Sequence, residues 1–272
     1  SKINPKNIVD SILKNQVTNS FGSPVIWSII LKYCQAEQIV LPSLKRVIMA
    51  GAPAPQALLE QLKEYMPNGE IFTPYGATEA LPVSSLSATE IIEKQVGELA
   101  YGRKGNCVGR AMPNTRIQII EPDEGVIGSI ANVKECVTGE IGEIIVSGPT
   151  VTQMYDELPE ATKLSKIKDI DFFWHRMGDM GWVDEAGFLW FCGRKAERVK
   201  ANEGILETVC CEAIFNQLEC VSRSALIDLG EGKAGIVIEP EAKLYPKTPL
   251  AVQSFKKILR DCALSDPLTA SI

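Results

Sequence analysis

One stretch of the chain has residue types that could bind a ligand. It begins at Asp179, in a glycine turn, and ends at Arg194, which follows another glycine. Segments 182–183 and 188–191 are apolar and flank turn-forming residues, which is typical of two short strands joined by a tight loop. Such a hairpin places Asp179 near Arg194. A carboxylate on a rigid turn can accept hydrogen bonds from two neighbouring hydroxyls, as a ribose presents, and a guanidinium can reach the same sugar or its phosphate. The alternative is a surface hairpin with a solvated charge at each end.

A second stretch, residues 73–79 with the sequence TPYGATE, combines an aromatic ring with two polar side chains. Tyr75 offers an aromatic face, Thr78 a hydroxyl donor, and Glu79 a carboxylate that can hold a hard cation such as magnesium. The alternative is an ordinary strand exit in which Thr78 or Glu79 caps a helix. Neither stretch identifies a function by itself.

Composition narrows the class of protein. With 272 residues and 45% hydrophobic content, the chain can bury a core of one large or two ordinary domains. A net charge of -6 argues against the basic surface that nucleic acids require, so no nucleic-acid partner is expected. Eight cysteines without C-x-x-C spacing, and a single histidine, favour reduced thiols in a cytoplasmic protein over a disulfide framework or zinc site. The most apolar run, 25–31, is far shorter than the about 20 residues of a membrane span, and no signal peptide opens the chain.

The elements that position these residues begin with a β-α-β unit. A buried strand is predicted over 46–50, a helix over 58–66 and a second strand over 70–73, so the sheet here should be parallel. Ligands bind beyond the carboxyl ends of such strands, where the segments 51–55 and 74–79 lie. We expect these two segments to be neighbouring loops. Residues 19–24 are also predicted to form a loop, and the regions on either side of it are predicted to be helical.

The remainder of the chain predicts a mixed α/β (α+β) fold. From 81 to 149 the pattern is of short β-rich pieces typical of a small β subdomain, and beyond Arg194 a separate small α+β domain is expected. The predicted elements are strands at 116–120 and 140–147, a short helix opening at 160–163, a helix at 212–218, strands at 224–229 and 234–238 joined by a hairpin turn, and a helix at 250–264.

Four motifs then occur in order at fitting intervals: YGATE at 75–79, Gly-Glu-Ile at 142–144, the Gly-Asp turn at 178–179, and Gly-Arg at 193–194 followed by Lys200. This ordered set resembles the adenylate-forming superfamily of acyl-CoA synthetases, peptide-synthetase adenylation domains and luciferases. The resemblance covers the chain from about residue 20 to its end. It implies that 1–193 is the C-terminal portion of a large AMP-binding domain and that 194–272 is the N-terminal portion of a truncated small domain.

The resemblance also implies roles for individual residues, with ATP and magnesium as cofactors. One face of the adenine would lie against residues 51–53 and the other would stack on Tyr75. Thr78 would bind the α-phosphate and Glu79 the magnesium, which makes these two the catalytic candidates. The complete nucleotide-binding set is Gly51, Ala52, Pro53, Tyr75, Gly76, Thr78, Asp179 for the ribose hydroxyls, and Arg194 for the ribose or phosphate.

The chemistry implied is attack of a substrate carboxylate on the α-phosphorus of ATP, which yields an acyl-adenylate and pyrophosphate. The sequences of residues 72–86, 106–113 and 211–216 most resemble those of the β-lactone synthetases of bacterial olefin biosynthesis. The resemblance implies a long-chain 2-alkyl-3-hydroxy fatty acid as substrate. After activation, the substrate's own hydroxyl would close the β-lactone ring and expel AMP. The alternatives are an acyl-CoA synthetase or peptide-synthetase adenylation domain, which needs CoA or a carrier protein, and a non-catalytic nucleotide-binding or partner-binding remnant.

The chain departs from the family pattern at several places, and each departure leads to a prediction. The upstream Gly/Ser/Thr-rich phosphate loop and the lysine-bearing segment near the end of the small domain are absent, so we expect a fragment that cannot form an adenylate alone. Ala196 stands where most members have an Asp or Lys pivot, which predicts a hinge at Lys195 or a different movement of the small domain.

His175 is interpreted as a packing or positioning residue rather than a catalytic base.

Overall fold

The computed structural model describes residues 3–93, 101–102 and 105–272. Its first part alternates helices with parallel strands. Asn4 and Ser23 cap the first two helices by accepting hydrogen bonds from the backbone N–H groups of Asn7 and Ile26, and a proline follows each cap. The elements are α1 (Pro5–Lys14), β1 (Asn19–Gly22), α2 (Pro24–Glu37), β2 (Arg46–Met49), α3 (Gln56–Tyr65) and β3 (Glu70–Ala77). Strands β1, β2 and β3 pair in parallel, which confirms the predicted β-α-β unit.

Two predicted loops are strands instead. The structure places β1 within the expected loop at 19–24, because Asn19 and the following residues pair with β2 from Arg46 onward, and this tertiary pairing overrides turn-like composition. Strand β3 likewise continues past Thr73 to Ala77, since it pairs in antiparallel register with the next strand, Tyr75 opposite Ser84. The turn is therefore confined to Thr78 and Glu79.

The middle of the chain extends the same sheet. Strand β6 pairs with β4 on one side and β11 on the other, so the β-rich region is continuous with the parallel part. Within the described residues the sheet has eleven strands, with the main order β1-β2-β3-β4-β6-β11-β10-β8-β7. The elements are β4 (Ala80–Ser87), α4 (Ala88–Glu93), β5 (Tyr101–Gly102), β6 (Gly105–Ala111), β7 (Arg116–Ile120), β8 (Gly142–Ser147), α5 (Pro159–Ser165), β9 (Lys166–Lys168), β10 (Phe173–Val183) and β11 (Leu189–Arg194).

Beyond Arg194 the strands form two separate two-stranded sheets. They are β12 (Val199–Ala201) with β13 (Gly204–Leu206), and β14 (Val221–Gly230) with β15 (Lys233–Pro240), accompanied by α6 (Thr208–Phe215) and α7 (Pro249–Leu264). The predicted hairpin between the last two strands is confirmed, whereas the helix predicted at 212–218 begins earlier, at Thr208. Three short 3₁₀ helices are Ile130–Asn132, Lys195–Glu197 and Ala242–Leu244.

The largest core cluster packs α1, α2 and α3 against the first strands of the sheet. Trp27, Leu59 and Ile71 are fully buried there, and burial of an aliphatic side chain such as Leu59 contributes roughly 1.5–3 kcal/mol. The C-terminal part has a smaller cluster of its own, including Leu226. Across the described ranges of the chain, no helix has the length and apolar character needed to cross a membrane.

Candidate active site

The central hairpin is confirmed, and it brings the two predicted charges together. Asp179 on β10 lies opposite Arg194 on β11, and Arg194 Nη1 donates to Asp179 Oδ1 at 2.9 Å. Asp184 fixes the turn by accepting hydrogen bonds from the Phe188 backbone N–H at 2.8 Å and from Trp190 Nε1 at 3.0 Å. The hairpin therefore holds Asp179 and Arg194 side by side.

Tyr75 completes a three-residue group around Asp179. Its hydroxyl donates to Asp179 Oδ2 at 2.5 Å, so both oxygens of this carboxylate, which is only 3% exposed, have partners. Burial raises the pKa of Asp179, against the opposing effects of the Tyr75 hydrogen bond and the Arg194 charge. Burial and the nearby Asp179 charge hold the pKa of Tyr75 well above its usual range, so Tyr75 remains a donor at neutral pH.

These residues line a cavity of about 270 Å³, which we call the apolar cavity. The two segments expected to be neighbours meet in its wall: Gly51, whose positive φ of 91° turns the chain after β2, and the end of β3 at Tyr75. The Phe191 ring lies 6.0 Å from the Tyr75 ring at an angle of 43°. The lining residues that carry the argument are Gly51, Ala52, Pro53, Tyr75, Gly76, Phe191, Asp179 and Arg194.

A second cavity of about 470 Å³, the polar cavity, adjoins the first and shares Gly76 and Arg194 with it. Thr78 and Glu79 lie in its wall, so the predicted catalytic pair is in the polar cavity rather than beside the Tyr75 ring. The Tyr155 hydroxyl donates to Glu79 Oε1 at 2.7 Å. This hydrogen bond is the main reason that the pKa of Glu79 is lowered, so its carboxylate is ionised at neutral pH.

Two further titratable groups, His175 and Lys166, lie at or near the polar cavity, and burial lowers the pKa of each. His175 lines it and is 3% exposed, and burial, followed by the nearby Lys166 charge, lowers the pKa of His175 to about 4. Burial also lowers the pKa of Lys166 to about 8, and its Nζ donates to Thr152 Oγ1 at 3.1 Å. His175 is therefore neutral at pH 7, and its packing or positioning role stays a prediction.

The fit of the polar cavity to magnesium follows from its donor set. Within residues 3–93, 101–102 and 105–272 there is no group of three or more His, Cys, Asp or Glu residues that could hold a metal. Glu79 supplies one ionised carboxylate and Thr78 one hydroxyl. Magnesium is commonly held by one or two carboxylates together with substrate phosphates, so these residues fit a magnesium ion that binds with a nucleotide.

An apolar groove of about 490 Å³ lies next to the apolar cavity, and Pro74 lines both. Phe21 and Leu81 are exposed in it, at 68% and 47%. Its lining is almost entirely hydrophobic, apart from Arg46 and Ser85. The groove is formed by Phe21, Arg46, Ile48, Phe72, Pro74, Leu81, Pro82, Ser85 and Met112.

The sequence profile of the AMP-binding enzyme family matches residues 1–156, which is more than half of the chain. The chain belongs to the AMP-binding enzyme family. The olefin beta-lactone synthetase of Stenotrophomonas maltophilia is 34% identical to this chain over 244 residues, covering 88% of the chain and 43% of that relative. The olefin beta-lactone synthetase of Xanthomonas campestris is 35% identical over 232 residues, covering 83% and 41%. The chain thus spans less than half the length of these curated relatives.

Other relatives are similar at lower identity. The mitochondrial medium-chain acyl-CoA ligase of Mus musculus is 29% identical over 196 residues, or 72% of the chain and 29% of the relative. The solved amide bond synthetase of Marinactinospora thermotolerans superposes with a TM-score of 0.75 at 21% identity, covering 98% of the chain and 49% of that protein. The O-succinylbenzoate coenzyme A synthetase of Bacillus subtilis, in complex with ATP and magnesium, gives 0.72 at 20% identity, with 98% and 49% coverage. The two structural likenesses confirm the mixed α/β fold of the chain.

Several residues of the candidate site were not predicted from the sequence. Phe191 could have been predicted from the alternation of side chains along a strand. Adjacent residues face opposite sides of the sheet, so Phe191 faces the side opposite to Trp190 on β11. Tyr155 and Lys166 had none, because they are distant in sequence from Glu79 and belong to no motif that predicts a contact with it.

Proposed function

We propose that the complete protein containing this chain activates a carboxylic acid with ATP, forming an acyl-adenylate and releasing pyrophosphate. A carboxylate oxygen of the acid attacks the α-phosphorus, a new P–O bond forms, and the bond to pyrophosphate breaks. The observation that carries the proposal is the group of Tyr75, Asp179 and Arg194 at the junction of an apolar and a polar cavity. A nucleotide has the same division, with a flat apolar base at one end and charged phosphates at the other.

The apolar cavity suits the nucleoside. The adenine would lie between residues 51–53 and the Tyr75 ring, and the ribose hydroxyls would donate to Asp179. Asp179 already accepts hydrogen bonds at both oxygens, from a hydroxyl and a guanidinium, which is the kind of contact a ribose diol would replace or join. Arg194 is half-exposed, so it can turn toward the ribose or phosphate.

The polar cavity suits the phosphates. Thr78 would donate to the α-phosphate, and Glu79 would hold a magnesium ion together with phosphate oxygens. When bound, the ion neutralises charge on the phosphates. Because phosphoryl and nucleotidyl transfer depends mainly on positioning and charge neutralisation, these residue types suit the reaction.

The substrate is proposed to be a long-chain 2-alkyl-3-hydroxy acid that closes to a β-lactone. The apolar groove beside Pro74 is suited to an alkyl chain, and two relatives that are 34% and 35% identical to the chain are olefin beta-lactone synthetases. In ring closure the substrate hydroxyl oxygen bonds to the acyl carbon, loses its proton, and AMP leaves. The second candidate is an acyl-CoA synthetase, favoured by the similarity to an acyl-CoA ligase, with CoA or a carrier thiol as acceptor.

The large AMP-binding domain is proposed to end at residue 193 and the small domain to begin at 194. Two features support this boundary: the last strand of the eleven-stranded sheet ends at Arg194, and the strands after it pair only with each other. The hinge is proposed at Lys195, which contacts Glu143 on the large sheet at 3.2 Å.

Mass spectrometry of products tests the function. The complete protein is given ATP and magnesium with either a long-chain 2-alkyl-3-hydroxy acid or a plain fatty acid plus CoA. Loss of water from the hydroxy acid, with AMP release and no CoA requirement, is the expected result. A thioester that forms only with CoA would replace the β-lactone proposal with the acyl-CoA synthetase, and no AMP from any acid would leave a non-catalytic remnant.

A further inference from the structure

Tyr155 is a polar side chain of the polar cavity that the proposed reaction leaves unused. Its hydroxyl donates to Glu79 Oε1 at 2.7 Å, although the two residues are 76 positions apart in sequence. Both side chains are half-buried in the cavity wall. One oxygen of Glu79 therefore has a fixed donor.

The backbone holds Tyr155 in place independently of that hydrogen bond. The Thr152 backbone N–H donates to the Glu79 carbonyl at 2.8 Å, and Val151 forms an isolated β-bridge with Ala80. On its other side, the Tyr155 backbone N–H donates to Thr162 Oγ1 at 3.0 Å, which connects it to α5. The Tyr155 hydroxyl is thus presented to Glu79 by a segment fastened at both ends.

We propose that Tyr155 is a positioning residue that orients the Glu79 carboxylate toward a nucleotide-bound magnesium ion. The inference rests on the proposed function, because it assigns Glu79 the metal. A donor on Oε1 restricts the rotation of the carboxylate and leaves Oε2 for the ion. Hydrogen-bond partners of this kind commonly contribute 10–100-fold to metal affinity or activity.

The test is Tyr155→Phe in the complete protein, which removes the hydroxyl and keeps the ring. The magnesium concentration for half-maximal ATP–pyrophosphate exchange should rise about 10-fold, while the rate at saturating magnesium stays within about twofold. Calorimetric titration should show weaker binding of ATP with magnesium and unchanged binding of AMP. Tyr65→Phe is the matched control, because Tyr65 packs against the main core cluster and lines neither the apolar nor the polar cavity.

A double-mutant cycle with Glu79→Gln separates positioning from general destabilisation. If Tyr155 acts through Glu79, its replacement should add no further loss of magnesium affinity in the Glu79→Gln background. Additive losses, or a Tyr155→Phe protein with the wild-type magnesium requirement, would overturn the inference and leave the proposed function intact. A wild-type protein whose ATP binding shows no dependence on magnesium would overturn both.

Discussion

The two cavities each contain one carboxylate that accepts a hydrogen bond from a tyrosine hydroxyl, yet the pKa values of these carboxylates shift in opposite directions. Asp179 is buried beside Tyr75, and burial raises its pKa in spite of Arg194. Glu79 is half-buried beside Tyr155, and the hydrogen bond lowers its pKa. The depth of burial therefore determines which ligand group each carboxylate suits. Asp179, whose two oxygens already accept from Tyr75 and Arg194, suits hydroxyl donors, and the more solvated Glu79 suits a cation.

Strand β10 is common to both cavities, and breaking its buried ion pair should affect both together. Arg176 donates to Glu143 through Nε at 2.9 Å and Nη2 at 2.7 Å, with side chains 4% and 1% exposed. Glu143→Ala leaves that guanidinium with backbone carbonyl acceptors but no carboxylate partner, and should cost about 3–5 kcal/mol in the free energy of unfolding. Urea denaturation measures it, with Glu160→Ala as control, since Glu160 pairs with Lys163 in solvent and should lose almost nothing. Equal losses in the two variants would contradict this account of β10.

Removing the buried carboxylate should affect the nucleoside end alone. Asp179→Ala in the complete protein should weaken nucleotide binding by roughly 1.5–3 kcal/mol, because the ribose hydrogen bonds are lost. The wild type should bind 2′-deoxy and 3′-deoxy nucleotides more weakly than ATP in calorimetric titrations, and the variant should not discriminate among them. The exposed Asp171 gives the control Asp171→Ala. An Asp179→Ala protein with unchanged affinity would remove Asp179 from the site.

The polar cavity should also make stability depend on pH through His175. The pKa of His175 is about 4 in the folded chain against 6.5 for the ordinary group. Stability from the neutral imidazole is therefore present above pH 6.5 and is lost as pH falls toward 4, because only the unfolded chain takes up the proton readily. Between pH 7 and pH 5 the wild type should lose about 2 kcal/mol more than His175→Asn in urea unfolding. Parallel losses would show that His175 is not buried as a neutral group.

Local patterns were sufficient for the hairpin that carries Asp179 and Arg194. Apolar residues flanking a turn predict two strands without knowledge of any partner, and the turn sets the register as far as Gly181 opposite Phe191. A bulge beyond that pair, which the turn does not predict, brings Asp179 opposite Arg194. The pairing of β1 with β2 could not be predicted in the same way, because residues 19–22 form a strand only when β2 lies beside them. Similarly, Pro74 and Gly76 favoured the prediction of a loop at the end of β3, although this segment pairs with β4.

The same distinction holds for the candidate site. Motif resemblance indicated Tyr75, Thr78, Glu79, Asp179 and Arg194, and the structure distributes them between two adjoining cavities. That division depends on the course of β3 past Gly76, which the sequence did not predict. The support for Glu79 by Tyr155 depends on tertiary packing between distant segments, so no local pattern could have indicated it.

Asp179 is proposed to bind the nucleoside, and Glu79 the magnesium ion that accompanies the phosphates. The most direct measurement is calorimetric titration of the complete protein and its Asp179→Ala and Glu79→Gln variants with AMP alone and with ATP plus magnesium. The account predicts that Asp179→Ala weakens both ligands, whereas Glu79→Gln weakens only ATP with magnesium and leaves AMP unchanged. An equal loss of AMP affinity in Glu79→Gln, or unchanged AMP binding in Asp179→Ala, would contradict it.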